Sequence, residues 1–227
     1  MGCDVPSAHE GHGGGGELTP LVRFGVQGTA IAVLLWNVAR MMWTPIFWPF
    51  AAVLLMEAVW LGFSLRKTPR RVDTTGSSVL ASSGIAVYPV LITWVVPGPY
   101  IEPTWRFAVS YGVQLVALAL ELWALLSLRG ALTQLPEAHS LIQTGPYRYV
   151  RHPLYVAYII AFLGSCMGVW RVSLWILFVI FVILEWMRAR AEERVLSKTF
   201  SAYRSYQTQT GMFIPRWRTL REVLRGV

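Results

Sequence analysis

Leu141–Tyr155 reads LIQTGPYRYVRHPLY. This polar, aromatic and basic stretch is set between long apolar runs, and its reading decides how the rest of the chain folds. Gly145-Pro146 is a turn signal. Pro153 suits the first turn of a new helix, where its missing N–H is no loss. The apolar run Leu154–Val169 follows at once. The chain therefore re-enters an apolar phase at Arg151-His152, with Tyr147, Tyr149 and the basic residues gathered at the re-entry point.

Composition says what that phase is. The chain has 227 residues, 55% hydrophobic and only 14% charged, with a mean hydropathy of +0.48. A soluble domain would carry about a quarter charged residues. The shortfall points to an all-α integral membrane protein. A net charge of +8 then belongs to cytoplasmic loops facing anionic lipid rather than to nucleic acid, which is not expected as a partner. The two cysteines, Cys3 and Cys166, suggest neither a disulfide framework nor a metal cluster. Met1–Leu18 lacks the basic start and apolar core of a signal peptide. Residues 1–20 read as a flexible tail holding His9, His12 and the glycines at 13–16.

Working outward, Leu21–Trp43 is long enough to cross about 30 Å of hydrocarbon, and Pro45–Leu65 returns after a Thr44-Pro45 break. Trp43, Phe47 and Trp48 at that tip are interfacial aromatics. Arg66, Lys67, Arg70 and Arg71 then mark a cytoplasmic loop. Val79–Val96, carrying Pro89, and Phe107–Leu128 are the third and fourth runs, completing a four-helix transmembrane region over 21–128. Leu154–Val169 and Val172–Trp186 form either a short helical hairpin or two further spans. The expectation is about five to six helical passages, with both termini, the 129–151 loop and a C-terminal helix in the cytoplasm.

Charged residues inside apolar runs are informative because each costs about 2.5–3.5 kcal/mol at mid-membrane even on lenient scales. Glu57 and Glu121 are such residues. They either face a polar cavity or serve assembly as protonated or interhelically bonded glutamates. Glu185, Arg188 and Glu192 fall within about 60° of one another at ~100° per residue, where the last apolar run ends. Taken alone they read as an exposed salt-bridge ladder worth ~0.2–0.5 kcal/mol.

A resemblance changes that weighting. Gly145-Pro146-Tyr147-Arg148-Tyr149-Val150-Arg151-His152-Pro153-Leu154-Tyr155, followed by Arg188, Glu192-Glu193, Leu196, Phe200, Tyr203, Tyr206 and Ile214-Pro215, closely resembles the isoprenylcysteine carboxyl methyltransferase family. The wider group holds phospholipid and small-thiol methyltransferases. The likeness covers about Gln134 to Pro215, within a region 129–227 that would form the methyltransferase part. It implies methyl transfer from S-adenosyl-L-methionine. Carried over by position, the cofactor would be held by Gln134, His139, Ser140, Leu141, Ile142, Gly145, Tyr147, His152, Pro153, Leu154, Tyr155, Glu192 and Glu193. Arg188 would position the acceptor, with Glu185 beside it. No metal is implied.

The chemistry agrees with those residue types. A sulfonium ligand needs carboxylates and aromatic faces, and no Gly-rich strand-turn-helix fingerprint suggests a different donor site. A carboxylate acceptor is already ionised at neutral pH, and Arg188 can hold it with two parallel hydrogen bonds. A thiol would need ionising, and an amine would need a base, for which Glu185 is the candidate. The acceptor is expected to be lipophilic, a prenylated cysteine or a similar compound entering from the bilayer, with the active site facing the cytoplasm of a bacterial plasma membrane or the endoplasmic reticulum. A dinucleotide-dependent sterol-type reductase and a non-catalytic scaffold are the competing classes.

Overall fold

The computed structural model describes residues 18–43, 48–64, 71–72, 104–128, 137–138, 141–217 and 221. The N-terminal tail, the basic residues Arg66, Lys67 and Arg70, the third predicted span Val79–Val96, and Gln134, His139 and Ser140 lie outside them.

Six α-helices carry the described part: α1 Leu18–Met41, α2 Trp48–Ser64, α3 Thr104–Leu128, α4 Pro153–Val169, α5 Val172–Thr199 and α6 Tyr203–Gln209. The apolar runs among the described residues thus become helices, the last of them continuing past Trp186 to Thr199. Two features differ from an all-helical expectation. Arg71–Val72 (β1) pairs antiparallel with Glu137–Ala138 (β2), and Val150 forms a parallel bridge with Gly211. Both join the main chain of loop segments, whose N–H and C=O groups need partners that helices would otherwise supply.

Helix burial is inverted relative to a soluble protein. On α3 the buried residues are Ser110, Gln114, Ala117, Glu121, Ala124 and Leu125, whereas Leu115, Val116, Leu122, Trp123 and Leu126 are exposed. On α1, Gln27, Ala30, Leu34, Asn37 and Met41 are inside while Phe24, Leu35 and Trp36 face out. Small and polar residues at three- and four-residue spacing, joined by Leu34, Met41 and Leu125, form the helix contacts, and many large apolar ones face away. That is the pattern expected in lipid, where burying apolar side chains between helices yields no solvent gain. Trp105–Leu128 and Val172–Thr199 are long and apolar enough to cross a membrane, while Ala51–Phe63 and Pro153–Val169 are apolar but shorter.

α3 packs along α4 in the most extensive helix contact, and Gly164 permits it. A Cβ there would stand 2.8 Å from the Gln114 side chain and 3.2 Å from the Ser110 carbonyl. The hydroxyl of Ser110 donates to the Gly164 carbonyl at 2.8 Å and accepts from the Gln114 amide at 2.9 Å. Trp48 donates to the Met42 carbonyl (3.1 Å) and closes the α1–α2 tip. The α4–α5 connection is a single sharp corner. Trp170 adopts the left-handed region (φ 46°) and caps α4 by donating its N–H to the Cys166 carbonyl at 2.9 Å. α5 then runs for 28 residues without a break, its apolar half ending near Trp186 and its polar half continuing to Thr199. α3, α4 and α5 together hold the 141–155 stretch at one end of the bundle.

Candidate functional site

The stretch quoted at the outset folds as a turn of 3-10 helix, Gly145–Arg148, followed by an extended step into α4. Gly145 takes φ +61°, and a Cβ on it would run into the Ser127 hydroxyl of α3. The left-handed backbone favours glycine there, and a Cβ would also make the Ser127 hydroxyl turn away. Tyr147 turns inward and is buried. Burial, with Glu192 and Tyr206 nearby, pushes its phenol well above the ordinary range, so it stays an uncharged aromatic face. The hydroxyl of Tyr206 donates to the Tyr147 carbonyl at 2.6 Å.

A distant segment clamps the entry to α4. The N–H groups of Arg151 and His152 donate to the carbonyls of Gly211 and Met212 at 2.9 and 3.2 Å. Pro153 opens α4 with no N–H to satisfy, while the His152 carbonyl accepts the first helical bond from Val156. Arg151 adds side-chain ties. Its Nε donates to Glu193 Oε1 at 2.6 Å, and its Nη1 reaches the carbonyls of Gln207 (3.3 Å) and Thr210. The Gln207 amide donates to the other Glu193 oxygen at 3.2 Å. With both oxygens engaged, Glu193 locks α5 to the α4 entry and to the segment after α6.

His152, Tyr155, Glu192 and Arg188 make the central arrangement. The His152 ring stacks on Tyr155, with centroids 5.2 Å apart and planes 7° from parallel, and Phe213 meets its edge at 6.1 Å. Glu193 approaches His152 Nε2 at 3.4 Å and Glu192 approaches Nδ1 at 3.6 Å. These are ion-pair distances. They are not hydrogen-bonding geometries, for Nε2 is buried without a hydrogen-bond partner among the described residues. The Tyr155 hydroxyl donates to Glu192 Oε2 at 2.7 Å. Arg188 places its guanidinium carbon 5.0 Å from the centre of the Tyr155 ring. Glu185, fully buried one helical turn deeper, has no hydrogen-bond partner on either carboxyl oxygen among the described residues. An open groove of about 370 Å³ along Trp186, Arg190 and Arg194 lies elsewhere, since Arg190 is ~200° round α5 from Arg188.

Of the residues expected to form the site, Tyr147, His152, Pro153, Tyr155, Glu185, Arg188, Glu192 and Glu193 come together. Leu154 is buried in the helix core, and Ile142 packs partly buried against it, next to half-buried Leu141. Arg151, Gln207, Gly211, Met212 and Phe213 also shape the site, although the sequence reading assigned them no role. Arg151 stood inside the motif, but its partner Glu193 is 42 residues away, a separation with no periodic signal.

Residues 105–203 match the phospholipid methyltransferase family. The matched segment runs from the start of α3 to Tyr203 and takes in His152, Tyr155, Arg188 and Glu192. It supports a membrane methyltransferase. Two curated relatives are each 28% identical. One is a cobalt-zinc-cadmium resistance protein of Cupriavidus metallidurans, aligned over 161 residues that cover 65% of this chain and 71% of the relative. The other is a nickel-cobalt-cadmium resistance protein of Alcaligenes xylosoxydans xylosoxydans, aligned over 137 residues, 58% of this chain and 62% of the relative. Their names describe metal resistance and specify no reaction.

Proposed function

We propose that the protein transfers the methyl group of S-adenosylmethionine to the carboxylate of a lipophilic acceptor, a prenylated cysteine or a compound like it. The observation that carries this reading is the sharing of Tyr155 between Glu192 and Arg188. One side chain links a carboxylate at the polar end of α5 to a guanidinium a turn nearer the apolar half.

The donor side fits the ligand's chemistry. Glu192 keeps one carboxylate oxygen beyond its bond to Tyr155, enough to meet an ammonium or a ribose hydroxyl. The unpartnered Nε2 of His152 has a hydrogen bond to give or take. The faces of Tyr147, His152 and Tyr155 suit a sulfonium or an adenine. When bound, S-adenosylmethionine supplies an electrophilic methyl group.

On the acceptor side, Arg188 can hold a carboxylate with two parallel hydrogen bonds while Tyr155 supports its guanidinium from below. The carboxylate oxygen held by Arg188 would take the methyl group that bound S-adenosylmethionine supplies, the electron pair of the broken sulfur–methyl bond remaining on sulfur. No proton needs a base. Two opposite charges would vanish in this step, so a low-dielectric, water-poor cleft would favour it. The acceptor's apolar tail would lie among the helices, with its reactive end at the junction of α4 and α5 on the cytoplasmic face.

A second reading rests on Glu185, whose two oxygens lack hydrogen-bond partners among the described residues although Arg188 is within electrostatic range. As a base it would serve N-methylation of an amine headgroup, in line with the description of the matched family. Membranes containing the protein, incubated with labelled S-adenosylmethionine and S-farnesylcysteine, decide between them. Base-labile methyl ester on the farnesyl compound supports the first reading. Label in phosphatidylethanolamine alone supports the second.

A further inference from the structure

Away from the site, α5 presents one exposed stripe that changes character along its length. Ile176, Ile180 and Ile183 are each about half exposed, and Arg190 and Arg194 are exposed further on. At ~100° per residue these five fall within about 80° of one another, with Trp186 at the edge of the same face. α5 is long and apolar enough to cross a membrane. Its stripe is therefore apolar where the helix meets acyl chains, aromatic at Trp186 and basic beyond it.

Depth decides what the basic part meets. At ~1.5 Å per residue, Arg190 stands about 6 Å and Arg194 about 12 Å past Trp186. Tryptophan favours the boundary of the hydrocarbon, and each headgroup layer is about 5–8 Å thick. Helical side chains lean toward the N-terminus of their helix, here back toward the bilayer. Both guanidiniums thus reach the level of the lipid phosphates.

A groove of about 370 Å³ follows the stripe at this height, lined by Trp186, Met187, Arg190, Ala191 and Arg194. The Arg190 guanidinium carbon lies 5.0 Å from the centre of the Trp186 ring. No acid lines the groove among the described residues. The nearby carboxylates of α5 turn elsewhere, Glu192 to Tyr155 and Glu193 to Arg151 and Gln207. Two positive charges are gathered here, directly above a lipid-facing row of isoleucines.

We propose that this groove binds the phosphodiester of an anionic phospholipid from the bilayer, whose acyl chains lie along Ile183, Ile180 and Ile176. A guanidinium forks onto two phosphate oxygens, and the indole N–H of Trp186 can donate to an ester oxygen beside them. Two arginines match a headgroup of net negative charge, whereas a zwitterionic headgroup adds an ammonium that they repel. Free phosphate would use the same polar contacts but none of the isoleucines. Arg190 is ~200° round α5 from Arg188, so the site is separate from the proposed methyl-transfer site and stands whether or not that reading does. A lipid held there sets the height of α5, and with it of Arg188 and Glu192, at the bilayer surface.

Thermal unfolding of the purified full chain in a neutral detergent tests it, followed over concentration series of three probes. These are dioctanoyl phosphatidylglycerol, dioctanoyl phosphatidylcholine and glycerol 3-phosphate. A ligand that binds the folded state raises the Tm with its concentration. The wild type should bind phosphatidylglycerol about tenfold or more tightly than phosphatidylcholine, the difference expected for hydrogen bonds to a charged group. Glycerol 3-phosphate should bind at least as weakly as phosphatidylcholine. The double variant Arg190→Gln, Arg194→Gln should lose about tenfold or more in phosphatidylglycerol affinity. Arg204→Gln, the same charge change at an exposed position of α6, should keep the wild-type preference. Equal stabilisation of the wild type by the two lipids overturns the proposal. So does a preference that the double variant retains, or that Arg204→Gln loses to the same extent. Glycerol 3-phosphate binding as tightly as phosphatidylglycerol overturns the lipid as occupant. Should the double variant give no unfolding transition, each single variant is read in its place, and wild-type affinity in both overturns the site.

Discussion

The hydroxyl of Tyr155 donates to Glu192 at 2.7 Å, joining the second residue after Pro153 on α4 to the polar half of α5. The same ring carries the Arg188 guanidinium at 5.0 Å and stacks on His152. One tyrosine thus couples the group expected to grip the methyl donor to the group expected to position the acceptor. Substitutions on its two sides should separate the two binding events.

Arg188→Ala should lower acceptor turnover by about a hundredfold or more, because a paired, hydrogen-bonded charge is worth several kcal/mol to a desolvated carboxylate. S-adenosylhomocysteine affinity should stay within about threefold. Arg188→Lys should recover little activity, since an ammonium cannot reproduce the planar fork. Parallel loss of turnover and cofactor affinity would move Arg188 into the donor site.

Tyr155→Phe removes a hydrogen bond to a charged acceptor worth about 1.5–3 kcal/mol but leaves the ring under Arg188 and beside His152. Cofactor affinity should weaken about tenfold while the acceptor KM barely moves. Calorimetry and initial rates on the same preparation check this split.

Arg151→Ala and Glu193→Gln each leave a mostly buried partner exposed to the loss, the side chains being 10% and 9% accessible. Removing one member of such a pair costs about 3–5 kcal/mol. The double variant should be less destabilised than the sum of the singles. Thermal unfolding in detergent gives the coupling, and strict additivity would show that the pair does not hold the α4 entry in place.

Gly145→Ala should lower stability and cofactor binding together, because the left-handed backbone (φ +61°) and the Ser127 hydroxyl both oppose a Cβ. Adding Ser127→Ala should relieve only the steric share. Full recovery in the double variant would mean that the backbone conformation contributes nothing.

Much of this was legible in the sequence because apolar runs and prolines have direct physical readings. Pro153 opening α4 and the Trp170-Arg171 break follow from such signals. The length of α5 does not, for the apolar signal stops at Trp186 while the helix continues to Thr199 through Ala, Glu and Arg residues that favour helix without any apolar cue. Glu193 shows a similar limit. Its adjacency to Glu192 gave both the same expected role, yet a ~100° step on the helix turns Glu193 to Arg151 and Gln207. The tie between Arg151-His152 and Gly211-Met212 is a main-chain contact across sixty residues, and main-chain contacts leave no trace in side-chain pattern. Glu57 and Glu121 were visible as anomalies in apolar runs. The runs themselves do not show that Glu57 lies within electrostatic range of both Arg188 and Glu121.

The most direct test of the account is the affinity of the purified protein for S-adenosylhomocysteine, measured by calorimetry in detergent for the wild type, Glu192→Gln, His152→Ala and Arg188→Ala. The account predicts binding by the wild type, a loss of about tenfold or more in each of the first two variants, and near-wild-type affinity in the third. Binding that survives in the double variant of Glu192 and His152, or tight binding of NADPH instead, would contradict it.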